Sequence, residues 1–352
     1  MRSYETGNKD LDAAVDALIE LAADTEGSSN TDLVRELIVT SLKTLRGGTE
    51  RGDVKLMNST LKELRYSFLV FQRYRDVRKV TMYGSARVEP HDPNYELAAE
   101  FARRMVDQHR WMVVTGAGPG IMEAGNRGAG SDYSFGVNVR LPFEAGANPY
   151  VHESRLINYK YFFTRKLTFV KESDAFVLFP GGFGTLDEAF ELLTLIQTGK
   201  SDVHPVVMLE APGTGYWDPW VHLVDTLVDQ GLIAPDDLNL FTITTDVDEA
   251  IDEIRSFYAV YHSQRFVDGD LILRLNAEPS DALVEELNDQ FSDIVRSGRI
   301  EKASATKAEI STNDQIDLPR LRFRFDRRHL GRLRCLIDHL NGMDRPNRQE
   351  PE

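Results

Sequence analysis

The stretch Phe179-Pro-Gly-Gly-Phe-Gly-Thr-Leu-Asp-Glu188 decides the fold. Just before it, Asp174–Phe179 is a short apolar run that predicts a buried strand, typical of a parallel sheet. Beyond it, Leu186–Gln197 carries apolar residues at helical spacing, namely Ala189, Leu192, Leu193 and Ile196. A strand, a glycine-rich turn and a helix that opens on Thr185 bring backbone amides and the helix dipole together, and such an arrangement binds anions.

Two interpretations of the helix start remain open from the residues alone. In the first, the glycines at 181, 182 and 184 let the backbone approach a ligand, and Thr185 caps the helix and offers its hydroxyl to a phosphate. Glu188 then places a carboxylate within about one helical turn of the anion. In the second, Thr185-Leu-Asp-Glu188 is a capping box, in which Glu188 only bonds back to the backbone.

Alternating strands and helices predict an α/β fold with a doubly wound, Rossmann-like parallel sheet. The predicted strands besides Asp174–Phe179 are Val80–Gly84, Trp111–Thr115, Ser134–Arg140 and Val206–Glu210. Ligands bind such sheets at the carboxyl ends of the strands, near the switch point. Glycine-rich turns follow three of these strands, at Gly84-Ser85, at Gly116, Gly118 and Gly120, and at Gly181–Thr185.

The chain is predicted to have three parts. Residues 1–76 form a helical extension, residues 77–264 the Rossmann-like domain, and residues 265–352 a small α+β extension with a polar tail from Asp344. In the last part, strands are predicted at Asp270–Leu275 and Leu321–Phe325, and helices at Asp281–Val295 and Arg328–Leu340.

Composition excludes several classes of function. A net charge of −15 argues against nucleic acid or an anionic membrane as the main partner, although a local basic pocket remains possible. The single cysteine, Cys335, fits a reducing compartment, and no N-terminal apolar run indicates secretion. Scattered histidines and the lone cysteine predict no metal site. We therefore expect a cytoplasmic protein with no membrane span.

Two glycine motifs do not predict cofactor sites. In Gly116-Ala-Gly-Pro-Gly120, Ile121 stands where the third glycine of a dinucleotide fingerprint belongs, so no nicotinamide cofactor is predicted. The run Thr194–Ser201 resembles the end of a Walker A loop but lacks its first glycine and follows a helix. Gly199 is predicted to end that helix, and no ATP site is expected.

Pro180-Gly-Gly-Phe-Gly-Thr-Leu-Asp-Glu188 resembles the PGGxGTxxE signature of the LONELY GUY (LOG) family. Arg165-Lys166 is similar to that family's second mark, an Arg-Lys pair on the preceding helix. The resemblance covers about Val80 to Tyr261, roughly half of the chain. It implies a phosphoribohydrolase that cleaves nucleoside 5′-monophosphates to free base and ribose 5-phosphate, without a cofactor. It also implies a homodimer or a multiple of dimers.

The resemblance further implies roles for particular residues. Glu188 would act at the ribose C1′ atom, and Arg165 would hold Glu188 and keep it ionised at neutral pH. The base would lie toward Gly84-Ser85 or Asn138–Glu144. Ala117 stands where the family more often has glycine, and its methyl group is expected to hinder a close approach of ligand. The residues expected to contact substrate are Gly181, Gly182, Phe183, Gly184, Thr185, Lys166, Gly84, Ser85, Gly116, Gly118 and Gly120.

Two other functions remain alternatives. A nucleotide-binding or regulatory protein of the same fold would bind a nucleoside monophosphate without hydrolysing it. A pyridoxal-phosphate decarboxylase would need a Schiff-base lysine in the pocket, and Lys166 is the only lysine near the motif. The sequence does not distinguish AMP from a cytokinin riboside monophosphate as the substrate.

Overall fold

The computed structural model of the protein describes residues 4–23, 30–139 and 146–343. The chain divides into two compact units between Tyr66 and Ser67. The predicted polar tail from Asp344 lies outside the described residues, as does Arg140 at the end of a predicted strand.

The first unit is helical, and its elements are α1 (Lys9–Ala22), α2 (Thr31–Lys43) and most of α3 (Arg51–Gln72). Asn8 caps α1, because its side-chain oxygen accepts a hydrogen bond from the Leu11 amide. Between α1 and α2, the Arg35 guanidinium lies 2.6 Å from the Asp16 carboxylate. The described residues of this unit are helical or lie in the short segments before and between the helices.

The second unit contains a seven-stranded parallel sheet in the order β4-β3-β2-β1-β5-β6-β7. Its strands are β1 (Lys79–Tyr83), β2 (Met112–Thr115), β3 (Ser134–Val139), β4 (Leu156–Tyr159), β5 (Ala175–Leu178), β6 (Val206–Leu209) and β7 (Thr242–Thr244). The predicted α/β class and doubly wound sheet are therefore confirmed. The short strands β4 and β7, at the two edges, were not predicted.

Helices cover both faces of this sheet, and their apolar sides form two cores. On one face lie α4 (Pro93–His109), α5 (Ile121–Ala129) and α9 (Val247–Phe257). On the other face lie α6 (Phe162–Glu172), α7 (Phe183–Gln197) and α8 (Asp218–Asp229). Gly199, with φ +66°, follows the C-cap residue of α7 and supports the predicted end of that helix. Short 3-10 helices lie at Ser131–Tyr133, Glu153–Arg155, Pro235–Leu240 and Ser292–Ile294.

The direction of winding reverses at β1. The chain runs outward from β1 through β2 and β3 to β4, and then returns through α6 to β5, on the other side of β1. Adjacent crossovers on opposite faces leave a crevice at the carboxyl ends of β1 and β5. Gly84 follows β1 at this edge, and the Pro180–Thr185 turn follows β5. The fold thus brings two of the predicted glycine turns to the switch point.

A second, antiparallel sheet follows in the order β10-β11-β9-β8. Its strands are β8 (Tyr261–Val267), β9 (Asp270–Leu275), β10 (Val295–Ala303) and β11 (Arg320–Phe325), and its helices are α10 (Asp281–Gln290), α11 (Lys307–Thr312) and α12 (Leu330–Leu340). The strands β8 and β10 were not predicted. The helix predicted to reach Val295 ends at Gln290, because Val295 begins β10.

The boundaries predicted at residues 76 and 264 stay predictions, although Tyr261 already belongs to the second sheet. Within the described ranges, no helix is both long and apolar enough for a membrane span. The cytoplasmic location stays a prediction.

Candidate functional site

A cavity of about 620 Å³ opens at the switch point of the parallel sheet. Hydrogen bonds tie its walls together, since the Ser85 amide donates to the Pro180 carbonyl at 3.1 Å and the Ile121 amide donates to the Ser85 carbonyl at 3.0 Å. The residues that line it are Met82, Tyr83, Gly84, Ser85, Ala86, Arg87, Gly116, Met122, Arg165, Gly182, Phe183, Gly184, Thr185, Leu186 and Glu188. Residues from the exits of β1, β2 and β5 therefore share one cavity.

The helix α7 begins at Phe183, with Gly182 as its N-cap, and no side chain caps it. The prediction that Thr185 caps this helix is therefore wrong, and so is the capping-box interpretation of Glu188. The first amides of a helix have no hydrogen-bond partner within that helix. The amides of Phe183, Gly184 and Thr185 therefore offer donors to the cavity, at the positive end of the α7 dipole. The earlier start places the unpaired donors of the first turn at Phe183, Gly184 and Thr185, closer to the end of β5 than the sequence indicated.

The Pro180–Gly182 turn is fixed by a hydrogen bond from a residue that the sequence analysis missed. The Tyr216 hydroxyl donates a hydrogen bond to the Gly181 carbonyl at 2.5 Å. The buried Glu210 carboxylate in turn accepts from the Tyr216 amide at 2.6 Å. A side chain at Gly181 would overlap Thr185, so only glycine fits there. Tyr216 lies far along the chain, and no local signal marks it.

Arg165 and Glu188 meet at the floor of the cavity. The Arg165 Nη2 atom lies 3.7 Å from the Glu188 Oε1 atom, and both side chains are largely buried, at 11% and 13% exposure. The Arg165 Nε atom donates to the Val137 carbonyl at 3.0 Å, which fixes the guanidinium against β3. The structure thus brings together the two side chains that the sequence singled out for chemistry.

Burial raises the pKa of the Glu188 carboxyl to about 7, although the Arg165 and Lys166 charges act to lower it. The expectation that Arg165 keeps this carboxylate fully ionised at neutral pH is therefore wrong. At 3.7 Å the ion pair lacks a direct hydrogen bond, so it does not offset the cost of removing the carboxylate from water. Near neutral pH, Glu188 exchanges readily between its two protonation states.

Gly116 makes room for Arg165. A β-carbon at this position would lie 2.6 Å from both the Arg165 Nη2 and the Met122 Sδ atoms. Gly116 therefore lets the guanidinium reach the cavity, whereas the sequence analysis expected this glycine to contact the substrate.

Four residues predicted to contact substrate do not line the cavity, namely Gly118, Gly120, Gly181 and Lys166. The Lys166 ammonium lies 2.7 Å from the Asp187 carboxylate and 2.9 Å from that of Glu191. Gly120 has φ +69° and packs against the Ser85 carbonyl, where a side chain would overlap. A contact of these residues with substrate stays a prediction. The suggested base-facing segment, residues 138–144, lies mostly outside the described residues.

Ala117 adopts a left-handed conformation with φ +58° and is fully buried. Its methyl group points at β3, because a β-carbon added to Gly136 would lie 2.8 Å from it. Ala117 does not line the cavity. The expectation that its methyl group hinders the approach of ligand is therefore wrong.

Residues 115–254 match the sequence profile of a family described as "Possible lysine decarboxylase". Among solved structures, a molybdenum cofactor carrier protein from Chlamydomonas reinhardtii is 21% identical, with a TM-score of 0.36, over 51% of this chain and 96% of that one. A molybdenum cofactor binding protein from Rippkaea orientalis is also 21% identical, with a TM-score of 0.34, over 51% of this chain and 95% of that one.

Several curated relatives of the chain are plant proteins. A cytokinin riboside 5′-monophosphate phosphoribohydrolase from Arabidopsis thaliana is 32% identical over 26% of this chain and 42% of its own length. A probable enzyme of that name from Oryza sativa is 32% identical over 26% of this chain and 37% of its own length, so these matches span less than half of either relative. The cytokinin riboside 5′-monophosphate phosphoribohydrolase LOG of Oryza sativa is 31% identical over 175 residues, which are 47% of this chain and 67% of that protein. With this coverage, the chain belongs to the LONELY GUY (LOG) family.

Proposed function

We propose that the protein is a phosphoribohydrolase that cleaves the N-glycosidic bond of a nucleoside 5′-monophosphate. The observation that carries this proposal is the shared cavity, in which the unpaired amides of the α7 N-terminus face Arg165 and Glu188. An anion site and a carboxylate at this spacing suit a substrate that carries a phosphate at one end of a sugar and reacts at the carbon at the other end.

The 5′-phosphate would bind at the start of α7. The amides of Phe183, Gly184 and Thr185 supply hydrogen bonds, and the helix dipole favours negative charge at this position. Arg87 lines the same cavity and adds a positive charge to it. Anchoring the phosphate there converts binding energy into alignment of the sugar with Glu188.

Glu188 would then act at C1′. As the bond from C1′ to the base nitrogen breaks, positive charge develops on the sugar, and an ionised carboxylate stabilises it. The same carboxylate accepts a proton from the water that attacks C1′, and the base leaves with the electron pair of the broken bond and takes up a proton from solvent. A pKa of about 7 suits this role, since the group takes up and releases a proton easily near neutral pH. Arg165 would hold Glu188 in place.

For the substrate, we propose AMP or a cytokinin riboside monophosphate. The cavity volume of about 620 Å³ falls within the range typical of small-ligand sites. A decarboxylase is less well supported, because the described residues that line the cavity include no lysine and the Lys166 ammonium is paired with two carboxylates.

The test is to incubate the protein with a panel of nucleoside 5′-monophosphates and to measure free base and ribose 5-phosphate. Glu188→Gln should reduce the rate at least about a hundredfold, because it removes the charge and keeps the shape. Glu191→Gln is the matched control, since it makes the same change on the same helix outside the cavity. Binding of AMP without release of adenine by the unaltered protein would favour the non-hydrolysing alternative.

We further propose that the protein is a homodimer. Three neighbouring apolar side chains of α6 are about half exposed, namely Phe162 (52%), Phe163 (50%) and Leu167 (49%). An apolar patch of this kind is typical of a homodimer interface. Light scattering should give twice the monomer mass, and Phe163→Glu should reduce it to that of a monomer. A monomeric mass for the unaltered protein would contradict the proposal.

A further inference from the structure

Tyr83 holds a rigid position at the floor of the cavity. It is the last residue of β1, and its carbonyl accepts a hydrogen bond from the Phe179 amide at 2.8 Å. Its ring contacts that of Phe169 edge to face, with 5.2 Å between centroids, and stacks on Phe176 at 6.3 Å. Only 4% of the residue is exposed. Packing on both sides leaves the ring little freedom to turn.

The Tyr83 hydroxyl has no hydrogen-bond partner among the residues that the structure describes, yet Tyr83 lines the cavity. Its oxygen is not one of the fully buried atoms that lack a partner, so it is open to the cavity, where a polar atom of a ligand can accept its hydrogen bond. Burial raises the pKa of this phenol well above its usual value, and the nearby Glu188 charge raises it further. The hydroxyl therefore stays a neutral donor at any pH of interest.

We propose that the Tyr83 hydroxyl and the Glu188 carboxylate together bind the 2′-hydroxyl of the substrate sugar, and that they make the site selective for ribonucleotides over 2′-deoxyribonucleotides. This inference rests on the proposed function. A phenol that donates and a carboxylate that accepts complement a sugar hydroxyl, which accepts one hydrogen bond and donates another.

Position favours the 2′-hydroxyl over the other groups of the nucleotide. Glu188 lies about one helical turn beyond the amides that would hold the phosphate, which is the depth of the sugar. If the carboxylate acts at C1′, the nearest hydroxyl of the sugar is the one on C2′. Hydrogen bonds to this hydroxyl strengthen as a glycosidic bond breaks, so the pair would raise kcat as well as lower KM.

The test compares AMP with 2′-deoxy-AMP in the unaltered protein and in Tyr83→Phe. The unaltered protein should prefer AMP, and Tyr83→Phe should reduce kcat/KM for AMP about tenfold, the effect of one hydrogen bond to a substrate. The same variant should leave kcat/KM for 2′-deoxy-AMP unchanged, because the group that Tyr83 binds is then absent. A purely structural role would affect both substrates equally.

Tyr133→Phe is the matched control. Its hydroxyl accepts a hydrogen bond from Arg110. Tyr133 directly precedes β3, so it lies at the amino ends of the strands, whereas the cavity lies at their carboxyl ends. This variant should behave like the unaltered protein with both substrates. Equal loss of kcat/KM for the two nucleotides in Tyr83→Phe, or no preference for AMP in the unaltered protein, would overturn the proposal.

Binding measurements separate this proposal from the proposed function. If neither nucleotide is hydrolysed, calorimetric titration still reports whether AMP binds more tightly than 2′-deoxy-AMP and whether Tyr83→Phe removes that difference. Failure of hydrolysis with this pattern intact would contradict the phosphoribohydrolase and support the contact. Equal affinities for the two nucleotides would overturn the contact itself.

Discussion

The carboxylates of Glu309 and Glu188 are both largely buried near arginines, but they differ in the number of hydrogen bonds that they accept. Glu309 is fully buried, and it accepts hydrogen bonds from the Thr306 amide at 2.9 Å and hydroxyl at 2.8 Å and from Arg274 at 2.9 Å, with Arg320 at 3.3 Å. Burial acts to raise the pKa of this carboxyl, but the hydrogen bonds from Thr306 and the arginines outweigh it and lower the pKa to about 2.

Glu188, by contrast, has one arginine at 3.7 Å, no direct hydrogen bond to it, and a pKa raised to about 7. Similar residue types therefore give an ionised group on α11 and an easily titrated one in the cavity. The comparison teaches that saturation with hydrogen bonds, and not the presence of an arginine, decides whether a buried carboxylate holds the fold together or stays available for chemistry.

The largest expected effect is the loss of stability in Glu309→Gln. Removing this charge leaves Arg274 and Arg320 buried with less compensation, which should cost about 3–5 kcal/mol. Denaturant unfolding at neutral pH measures it. The exposed pair Glu301–Arg322 offers the control, since Glu301→Gln should cost less than about 1 kcal/mol. Equal losses in both variants would break the comparison.

Acid adds a second test of Glu309. Because its pKa is lowered in the folded state, its contribution is present above about 4.5 and is lost as the pH falls toward about 2.

Glu188→Gln should stabilise the protein at alkaline pH. Because folding raises the pKa of this carboxyl from 4.5 to about 7, the unaltered protein loses stability as the pH rises through that interval. At about pH 8 the variant should therefore be more stable by up to about 3 kcal/mol, and at about pH 4 nearly equal. Thermal unfolding at the two values measures the difference. A destabilised variant at the higher pH would show that Arg165 outweighs burial.

The rate of hydrolysis should follow the ionisation of Glu188. If the ionised carboxylate is the active form, kcat/KM should fall about tenfold for each pH unit below about 7, and level off above it. Measurement of initial rates between about pH 5 and 9 gives the apparent pKa. A break near the usual pKa of a glutamic acid would show that burial does not raise the pKa of Glu188.

Gly116→Ala should reduce activity with little change in fold. The new methyl group would meet the Arg165 Nη2 atom at 2.6 Å and force the guanidinium away from Glu188. We expect the free energy of unfolding to fall by about 1–3 kcal/mol. The displaced guanidinium should also change the apparent pKa of Glu188. The pH–rate profile of the variant measures that change, and an unaltered profile would show that Met122 moves instead.

The smallest effect is expected one residue further along, in Ala117→Gly. Glycine relieves the left-handed backbone at φ +58°, but it removes a buried methyl group and gives the unfolded chain more freedom. These terms nearly cancel, so stability should change by less than about 1 kcal/mol. Activity should be unchanged, because Ala117 does not line the cavity. Faster hydrolysis by this variant would restore the idea that the methyl group hinders ligand.

Strand recognition from the sequence depended on what each strand faces. Strands buried on both sides, such as β1 and β5, are continuous apolar runs and were found within a residue of their ends. The strands β8 and β10 were missed because both lie at the edges of their sheet and carry many polar residues. Edge strands often carry charges and lack a clear alternation, so their pairing is visible only in the fold.

The sequence by itself determined the parallel sheet and the glycine turn after β5, because both depend on local spacing and residue type, and its resemblance to the LOG signature singled out Arg165 and Glu188. Only the tertiary structure decided that α7 begins at Phe183, that Tyr83 joins the site, and that Lys166 pairs with acids beside it. It also decided that the pKa of Glu188 is near 7. These properties depend on burial and on contacts between residues distant in the chain, which spacing along the sequence does not encode.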